Sequence, residues 1–406
     1  MLILADAVLE SLGKIHRPGC LRINGDTISE VGSSLSAHPG EEVLRLPGLT
    51  LTPGFINLHA HLELSSLANT LSPTTTFTDW LRQIIPLLPG LTPEVRRRSI
   101  TQSSQNALLC GTTSILSITS DVSTLSSLTS TATRVWWALE FMDLHTPAHP
   151  PDRLDRVTAW LARHPTSAWH LAFSPPAPHT AAPTLFQELA QLSTQHRLPF
   201  TTHLAESTDE TQLLCGEKSP LQNLLPADFK RDDFSGNRSA LDWCHRHQAL
   251  PPRPILAHLN ELSESDLPYL RETHATVVHC PSSHRWFRRN SFQADLLRAH
   301  KIPICVGTDS PASSLNLKLD LRQEIRLFQE TLPSLTSQEA WASLTTTPAR
   351  ALQLEDKLGT LQVGRWADWI GWKIPAHHDP VSWILQSNDP AQVSCVAGRI
   401  TQHDPI

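Results

Sequence analysis

The stretch PGFINLHAHLELS, residues 53–65, places two imidazole side chains at the end of an apolar run. The run over residues 54–58 is typical of a buried strand, and residues two apart on a strand point to the same side. His59 and His61 are therefore expected to face one point. Imidazole is the commonest metal ligand among side chains, so the pair predicts part of a metal centre. This segment alone leaves an alternative open, a pair of histidines on a solvated strand face.

Eight short apolar runs alternate with amphipathic stretches from residue 53 onward. The runs cover residues 54–61, 112–118, 135–141, 168–173, 200–204, 254–258, 276–280 and 303–307. Helical spacing appears between them at 93–109, 183–195, 263–273 and 292–300. This alternation predicts an α/β fold, a parallel (β/α)8 TIM barrel with its chemistry at the C-terminal ends of the strands. The polar residues that end or follow these strands are His59, His61, His203, His258, His279 and Asp309.

Both ends of the chain have the pattern of β structure. The first fifty residues alternate apolar and polar positions, and Ile23-Asn24-Gly25-Asp26 is a type I′ hairpin signal. After helical segments at 317–332 and 337–354, strand-like runs return at 367–372 and 393–400. We therefore expect a small discontinuous β-sandwich domain from residues 1–52 plus 357–406, with the barrel spanning residues 53–356.

Composition restricts the class of protein. The formal charge of −6 over 406 residues, without a block of like charge, disfavours nucleic-acid binding. No run of about 18 apolar residues occurs, so no membrane span is expected. The N-terminus lacks the basic start of a secretory signal, and the seven cysteines show no CxxC spacing. These features predict a cytoplasmic protein with a small-molecule partner and without a disulfide framework.

An ordered set of motifs carries a resemblance to a known superfamily. The segments are PGFINLHAHLELS, THLAES, AHL, HCPSSH, GTDSPAS and KLGTLQVGRWADW. With them the chain resembles the amidohydrolase superfamily, in the branch of nucleoside and triazine aminohydrolases that includes S-adenosylhomocysteine and guanine deaminases. The resemblance implies that His59, His61, His203 and Asp309 bind one divalent metal ion. Zinc is the favoured ion, while iron(II) and manganese stay open because this ligand set accepts all three.

The residue types agree with such a centre. Three imidazoles and a carboxylate leave one position for water, and a divalent ion lowers the pKa of bound water from 15.7 to about 7. Asp309 is expected to take the proton of that water and later to help ammonia leave. His258, at the end of the sixth predicted strand, is expected to orient the water; its alternative is a satisfied core histidine.

Glu206 follows His203 by three residues in the motif HLAE. When hydroxide attacks an aromatic amidine, the neighbouring ring nitrogen must be protonated, and a carboxyl group beside the metal can supply that proton. Glu206 is therefore the predicted acid. The alternative is an acid at a helix N-terminus that only complements the helix dipole.

An absence of lysine restricts the metal count. Many related hydrolases bridge two metals with a carboxylated lysine, yet no lysine occurs between Lys14 and Lys218. The sequence thus favours a mononuclear centre. Glu140, at the end of the third predicted strand, could serve as a bridging carboxylate, but contact with substrate or a neighbouring loop is the favoured interpretation.

Substrate-recognising positions depart from the S-adenosylhomocysteine deaminases. Pro176 stands where they have a histidine, and their ribose-binding glutamate is missing near Leu88. The motifs resemble more closely the aminofutalosine deaminases, whose substrate joins an adenine nucleoside to a benzoate. Aromatic and cationic side chains are then expected at the pocket, and the candidates are Trp80, Glu140, His279, Arg285 and Arg288. The alternatives are a core position for Trp80 and a solvated loop for the segment from Arg285 to Arg289.

The leading hypothesis is a deaminase of an exocyclic amine on a purine-like nucleoside. Ring or halide hydrolysis, as in imidazolonepropionase-like or triazine chlorohydrolase-like relatives, uses the same predicted framework and stays open. A non-catalytic scaffold is disfavoured because every proposed ligand and acid is present. Relatives commonly form dimers, so a homodimer is also an expectation.

Overall fold

The computed structural model describes residues 1–120, 124–125, 128, 130–143, 169–226 and 232–403. Strands are numbered β1–β16 and helices α1–α12 along this described part. The strands near the N-terminus are Leu2–Ser11 (β1), Lys14–His16 (β2), Gly19–Asn24 (β3), Thr27–Gly32 (β4) and Val43–Pro53 (β5). The central strands are Phe55–Ala60 (β6), Thr112–Thr119 (β7), Arg134–Glu140 (β8), Trp169–Ser174 (β9), Thr201–Leu204 (β10), Ile255–His258 (β11), Thr276–His279 (β12) and Ile304–Val306 (β13). The last strands are Trp369–Lys373 (β14), Val393–Val396 (β15) and Arg399–Gln402 (β16).

The described helices lie mainly between the central strands or after them. They are Phe77–Ile84 (α1), Pro93–Leu109 (α2), Pro183–His196 (α3), Thr208–Leu214 (α4), Ala240–Arg246 (α5), Leu267–Thr273 (α6), Pro281–Trp286 (α7), Ala294–Ala299 (α8), Leu321–Thr331 (α9), Ser337–Leu344 (α10), Thr346–Ala351 (α11) and Pro380–Gln386 (α12). Short 3-10 turns occur at Leu62–Leu67, Ile85–Gly90, Pro220–Leu224, Asp232–Phe234, Glu264–Asp266 and Pro311–Ser313.

All eight predicted central strands are present, and they pair in parallel. β6 to β9 form one four-stranded sheet and β10 to β13 another, each in sequence order. Parallel bridges Phe173↔Phe200 and Ala60↔Asp309 connect the two sheets at both of their junctions. β7 is buried along its whole length, as a parallel strand covered on both faces must be. The C-terminal ends of these strands therefore meet on one side of the molecule.

Helix limits follow local chemistry. α2 has the predicted bounds, and the side chain of Thr92 accepts a hydrogen bond from the backbone N–H of Val95. The helix predicted over 337–354 is instead divided at Thr345 into α10 and α11. Pro348 explains the division, because proline has no N–H to donate and its ring clashes with the carbonyl of residue 344 in a continuous helix.

The two chain ends form one hydrogen-bonded sheet of eight strands. Its order is β16-β15-β14-β5-β1-β3-β4, and β2 pairs with β1. β14 runs antiparallel to β5, with Trp369 opposite Pro53, so the tail completes the sheet begun by the N-terminus. The predicted hairpin joins β3 to β4, and Gly25 at its turn has a φ of 60°. A continuous sheet forms because β5 pairs with β1 on one side and with β14 on the other.

Among the described residues, we find no helix with the length and apolar character needed to cross a membrane.

Candidate metal centre and active site

Four of the predicted ligands converge at the C-terminal ends of the central strands. Nε2 of His59 and Nε2 of His61 each lie 3.7 Å from Oδ1 of Asp309, and Nε2 of His61 lies 3.2 Å from Nε2 of His203. His59 is the fifth residue of β6, whereas His61 directly follows the strand, because a 3-10 turn begins at Leu62. Both imidazoles nevertheless face one point, as the sequence predicts.

A backbone contact sets the tautomer of His203. Its Nδ1 lies 2.9 Å from the carbonyl oxygen of Pro176, which can only accept a hydrogen bond. Nδ1 therefore carries the proton, and Nε2 presents a lone pair to the cluster. Pro176 thus contributes its carbonyl to the centre although it has no polar side chain.

The protonation states also suit metal binding. Burial and the neighbouring imidazoles lower the pKa of His61 to about 4 and that of His203 to about 3. Burial alone would raise the pKa of Asp309, but the nearby side chains of His59, His258 and His61 lower that pKa below the usual range. At neutral pH the imidazoles of His61 and His203 are therefore neutral and the Asp309 carboxylate is ionised, the forms that bind metals.

These donors fit one divalent ion. Ligand atoms about 2.0–2.1 Å from a tetrahedral zinc ion lie about 3.4 Å from each other. The separations of 3.2–3.7 Å in the cluster match that spacing. Both ring nitrogens of His59 are buried and lack a hydrogen-bond partner within the described chain. His258 also has a ligand atom within 4.8 Å of those of His59 and Asp309, so it borders the same point.

The backbone around the ligands is held in unusual conformations. Asp309 has a φ of 55° and His258 a φ of 76°, in the left-handed region that residues other than glycine rarely adopt. Asn57 secures this region, because its Oδ1 accepts hydrogen bonds from the backbone N–H groups of His59 and Thr308, at 3.2 and 3.3 Å. Strained residues persist where their surroundings fix them, and they cluster at functional sites.

Glu206 lies beside the ligand cluster in the turn between β10 and α4. Its Oε2 is 3.9 Å from Nε2 of His258. Its turn is anchored by Glu210, whose carboxylate accepts hydrogen bonds from the backbone N–H groups of Ala205 and Glu206, at 3.2 and 2.8 Å. Asn260 donates from Nδ2 to the carbonyl oxygen of Glu206 at 2.9 Å. These contacts hold the Glu206 backbone without using its carboxyl group.

Burial changes the chemistry of the Glu206 carboxyl. It raises the pKa to about 8, and the nearby charges of Asp309 and Glu210 also raise it, while Arg289 opposes them. Glu206 therefore carries a proton at neutral pH and can donate it. The structure thus combines an ionised carboxylate on Asp309 with a protonated carboxyl group on Glu206, and the catalytic roles of both residues stay predictions.

The structure brings some predicted substrate residues near the site and leaves others outside. Arg285 is on the surface with a side chain 62% exposed, and its Nη1 lies 3.0 Å from Glu330. Arg288 is also exposed. Their neighbour Arg289 is the buried one, with a side chain 6% exposed and Nη2 3.8 Å from Oε1 of Glu206.

The other three candidates have mixed positions. His279 stacks on Phe292, with ring centroids 3.9 Å apart, and meets Phe328 edge-on at 5.0 Å, so its described ring contacts are outside the ligand cluster. Trp80 stacks with Phe77 at 5.4 Å. Glu140 ends β8, and it belongs to neither group of candidate ligands found among the described residues.

Sequence reasoning missed Arg289 and Glu210. Glu210 has a signal, because Ser207 followed three residues later by a glutamate is a typical helix start. Ser207 accepts a hydrogen bond from the backbone N–H of Glu210, and the Glu210 carboxylate reaches back to the preceding turn. No comparable signal distinguishes Arg289 from the arginines beside it.

Comparisons with known proteins agree with this geometry. The model of the Amidohydrolase family matches residues 50–397. The 5-methylthioadenosine/S-adenosylhomocysteine deaminase of Nitratidesulfovibrio vulgaris is 25% identical over 321 residues, which cover 76% of this chain and 68% of that protein. The chain belongs to the amidohydrolase family, and it is a hydrolase that acts on carbon–nitrogen bonds.

Solved structures share the fold at lower identity. Helicobacter pylori aminofutalosine deaminase in complex with methylthio-coformycin has a TM-score of 0.82 and 19% identity, and the match covers 98% of this chain and 99% of that one. Atrazine chlorohydrolase from Arthrobacter aurescens complexed with zinc has a TM-score of 0.81 and 20% identity, covering 98% and 94%. These likenesses show that the chain shares the fold of both enzymes.

Proposed function

We propose that this chain is a metal-dependent deaminase that replaces an exocyclic amine on a purine-like nucleoside by oxygen and releases ammonia. The observation that carries the proposal is the position of Glu206, a protonated carboxyl 3.9 Å from His258 and beside four metal-ligand side chains. A hydrolase of this kind needs one group that accepts a proton and one that donates it. Asp309 and Glu206 meet those two needs.

We assign the metal to His59, His61, His203 and Asp309, and we propose one zinc ion. When bound, such an ion lowers the pKa of a coordinated water to about 7. The chain supplies the proton transfers: Glu206 donates from its carboxyl to the ring nitrogen next to the reacting carbon, and Asp309 accepts a proton from the attacking water, which His258 orients. Asp309 later returns that proton to the leaving amine, and Glu206 takes up the proton of the added hydroxyl group as the carbonyl forms.

The substrate class follows from the relatives. The deaminase relative acts on 5-methylthioadenosine and S-adenosylhomocysteine by its name, and the fold is shared with an aminofutalosine deaminase. Both names describe adenine nucleosides with a substituent. We propose a purine-like nucleoside for this chain, and the adenine nucleosides, with aminofutalosine first, as the members to assay.

The assay separates deamination from other hydrolysis. Metal-loaded protein is incubated with 5′-deoxyadenosine, 5-methylthioadenosine, S-adenosylhomocysteine and aminofutalosine, and ammonia is measured. Atrazine is assayed in parallel for chloride, because atrazine chlorohydrolase has the same fold. Ammonia from a nucleoside supports the proposal, whereas chloride release without ammonia would replace it by the triazine reaction.

A variant tests the residue that carries the argument. Glu206→Gln keeps the size of the side chain but removes the donated proton, so activity should fall by at least about a hundredfold. Metal content should stay at one ion per chain, because Glu206 is not among the proposed ligands. An unchanged rate in Glu206→Gln would remove the basis of the proposal.

We also infer that the two four-stranded sheets form one closed (β/α)8 barrel. Bridges at both sheet junctions support this, and Thr308 and Asp309 donate backbone hydrogen bonds to the carbonyl of His59 at 3.1 and 3.0 Å. We propose residues 53–356 as the barrel and residues 1–52 plus 357–406 as the smaller domain. A homodimer stays a prediction.

A further inference from the structure

Arg289 is a buried cation with unused hydrogen-bond donors. Its Nη2 is 3.8 Å from Oε1 of Glu206, which is too far for a hydrogen bond. Within the described chain, Nε and Nη2 of Arg289 are buried and have no hydrogen-bond partner. A guanidinium keeps its charge in a protein, and burying charged donors without acceptors is costly. We therefore expect a hydrogen-bond acceptor next to Arg289 and Glu206 in the functional state.

An aromatic ring packs against this guanidinium. Cζ of Arg289 lies 4.5 Å from the centroid of the Phe287 ring. Phe287 packs edge-on against Trp80, with ring centroids 5.7 Å apart. Nε1 of Trp80 is also buried and lacks a partner in the described part of the chain. The polar groups along these apolar surfaces are thus donors, and a flat ring that offers acceptors would match them.

Holding Glu206 in place does not explain Arg289. The Glu206 turn is already fixed by Glu210 and Asn260 through its backbone. Nη2 of Arg289 makes no hydrogen bond to the Glu206 carboxyl. The guanidinium therefore lies next to the proton donor while keeping its own donors for another group.

We propose that, among purine-like nucleosides, the substrate is one whose ring carries an oxo group, which adenine lacks, and that Arg289 donates hydrogen bonds to that oxygen. The inference rests on the proposed function, because it takes Glu206 as the group that meets the reacting ring nitrogen. Since Glu206 and Arg289 are 3.8 Å apart, groups bound to each must lie close together. The oxygen is therefore on the ring itself and not at the far end of a long substituent.

Two matched pairs of rings test the proposal. Isoguanine differs from adenine by a 2-oxo group, and guanine differs from 2-aminopurine by a 6-oxo group. Binding is measured by calorimetry on metal-loaded protein in the Glu206→Gln background, which suppresses turnover. We expect the oxo ring of at least one pair to bind about ten- to a hundredfold more tightly than its partner, as a hydrogen bond to a charged group predicts.

Substitutions at position 289 assign the effect. Arg289→Met should remove the preference for the oxo ring, and Arg289→Lys should keep part of it. The matched control is Arg97→Met, because Arg97 pairs with Glu94 on the exposed side of α2. If the protein with Arg289 intact shows no preference for the oxo ring in either pair, the inference is wrong. The inference is also wrong if the preference remains in Arg289→Met.

Ammonia release is recorded separately with the Glu206-containing enzyme. If binding prefers an oxo ring through Arg289 but no ring or nucleoside releases ammonia, the proposed deamination is wrong and the inference about Arg289 is kept. If ammonia is released but binding shows no preference for the oxo rings, deamination is kept and the inference about Arg289 is wrong. The two proposals therefore fail in different ways.

Discussion

Gly307 lies directly against His59. A Cβ atom added at Gly307 would be 2.9 Å from Cβ of His59 and 2.8 Å from Cγ1 of Val278. Gly307 follows β13, and its neighbour Thr308 donates a backbone hydrogen bond to the carbonyl of His59 at 3.1 Å. The ends of β6 and β13 approach this closely because residue 307 has no side chain.

Gly307→Ala is expected to weaken the metal centre. The added methyl group must displace His59 or Val278, and overpacking of this kind costs about 1–3 kcal/mol. The proposed ligand His59 would move away from Asp309, so the metal bound per chain should fall together with the unfolding temperature. Metal analysis after dialysis and thermal unfolding measure both effects.

Gly32→Ala is the control for this substitution. A Cβ atom at Gly32, in β4, would meet only one atom, Cδ2 of Leu35 at 4.0 Å. Its metal content should equal that of the unaltered chain. Equal metal content in Gly307→Ala and Gly32→Ala would contradict the close contact with His59.

The reaction rate is expected to fall at alkaline pH. Glu206 must be protonated to act as the acid, and burial raises its pKa to about 8. Below that pH the carboxyl carries its proton, and above it the protonated fraction decreases tenfold for each further pH unit. A profile of kcat/KM against pH should therefore be level near neutrality and decline above about pH 8. A rate that rises steadily through pH 9 would show that the protonated form of Glu206 is not required.

The central strands were predictable because their sequences are continuous apolar runs. β8 and β9 are buried along almost their whole lengths, as parallel strands covered on both faces must be. The positions of two proposed ligands were predictable for a related reason, since His59 and His203 lie near the C-terminal ends of their strands, where barrel enzymes place their chemistry. A strand prediction does not fix where the strand ends, so His61 lies one residue beyond β6.

The burial of Arg289 was not predictable from the sequence. α7 ends at Trp286, and Arg288, two residues further on, is in the left-handed conformation at a φ of 53°. Arg289 donates its backbone N–H to the carbonyl of His284 at 3.1 Å. Glycine or asparagine usually marks such a helix end, and here an arginine occupies it. The turn breaks the helical periodicity, so spacing cannot show that Arg285 and Arg288 face solvent while Arg289 faces Glu206.

Removal of the metal is expected to lower the stability of the fold. The metal-free cluster keeps the two buried nitrogens of His59 without partners in the described chain. A ligand that binds the folded state alone stabilises it by about 4 kcal/mol when present at a thousand times its Kd. Treatment with a chelator should lower the unfolding temperature, and added zinc should restore it. His61→Ala should show a much smaller response, and an equal response in both proteins would place the metal elsewhere.

A buried ion pair fastens the sheet of the chain ends to the central strands. Arg134 begins β8, and its Nε and Nη2 donate to the carboxylate of Asp368 at 2.8 and 2.9 Å. The same carboxylate accepts the backbone N–H of Ala397 at 2.8 Å. Both side chains are buried, with exposures of 0% and 2%. Asp368→Ala leaves the buried guanidinium without its carboxylate, so the free energy of unfolding should fall by about 3–5 kcal/mol.

Urea unfolding measures this loss, and an exposed pair provides the comparison. Asp295 lies 3.5 Å from Arg298 with a side chain 83% exposed, so Asp295→Ala should cost at most about 1 kcal/mol. The loss of unfolding free energy in Asp368→Asn should lie between the losses in Asp368→Ala and Asp295→Ala, because asparagine keeps one acceptor oxygen and loses the charge. Metal content of the folded Asp368→Ala protein should stay unchanged, since the pair lies at the start of β8 and the ligands at the opposite strand ends. A loss as small as that of Asp295→Ala would mean that the two parts of the fold are held together by apolar packing alone.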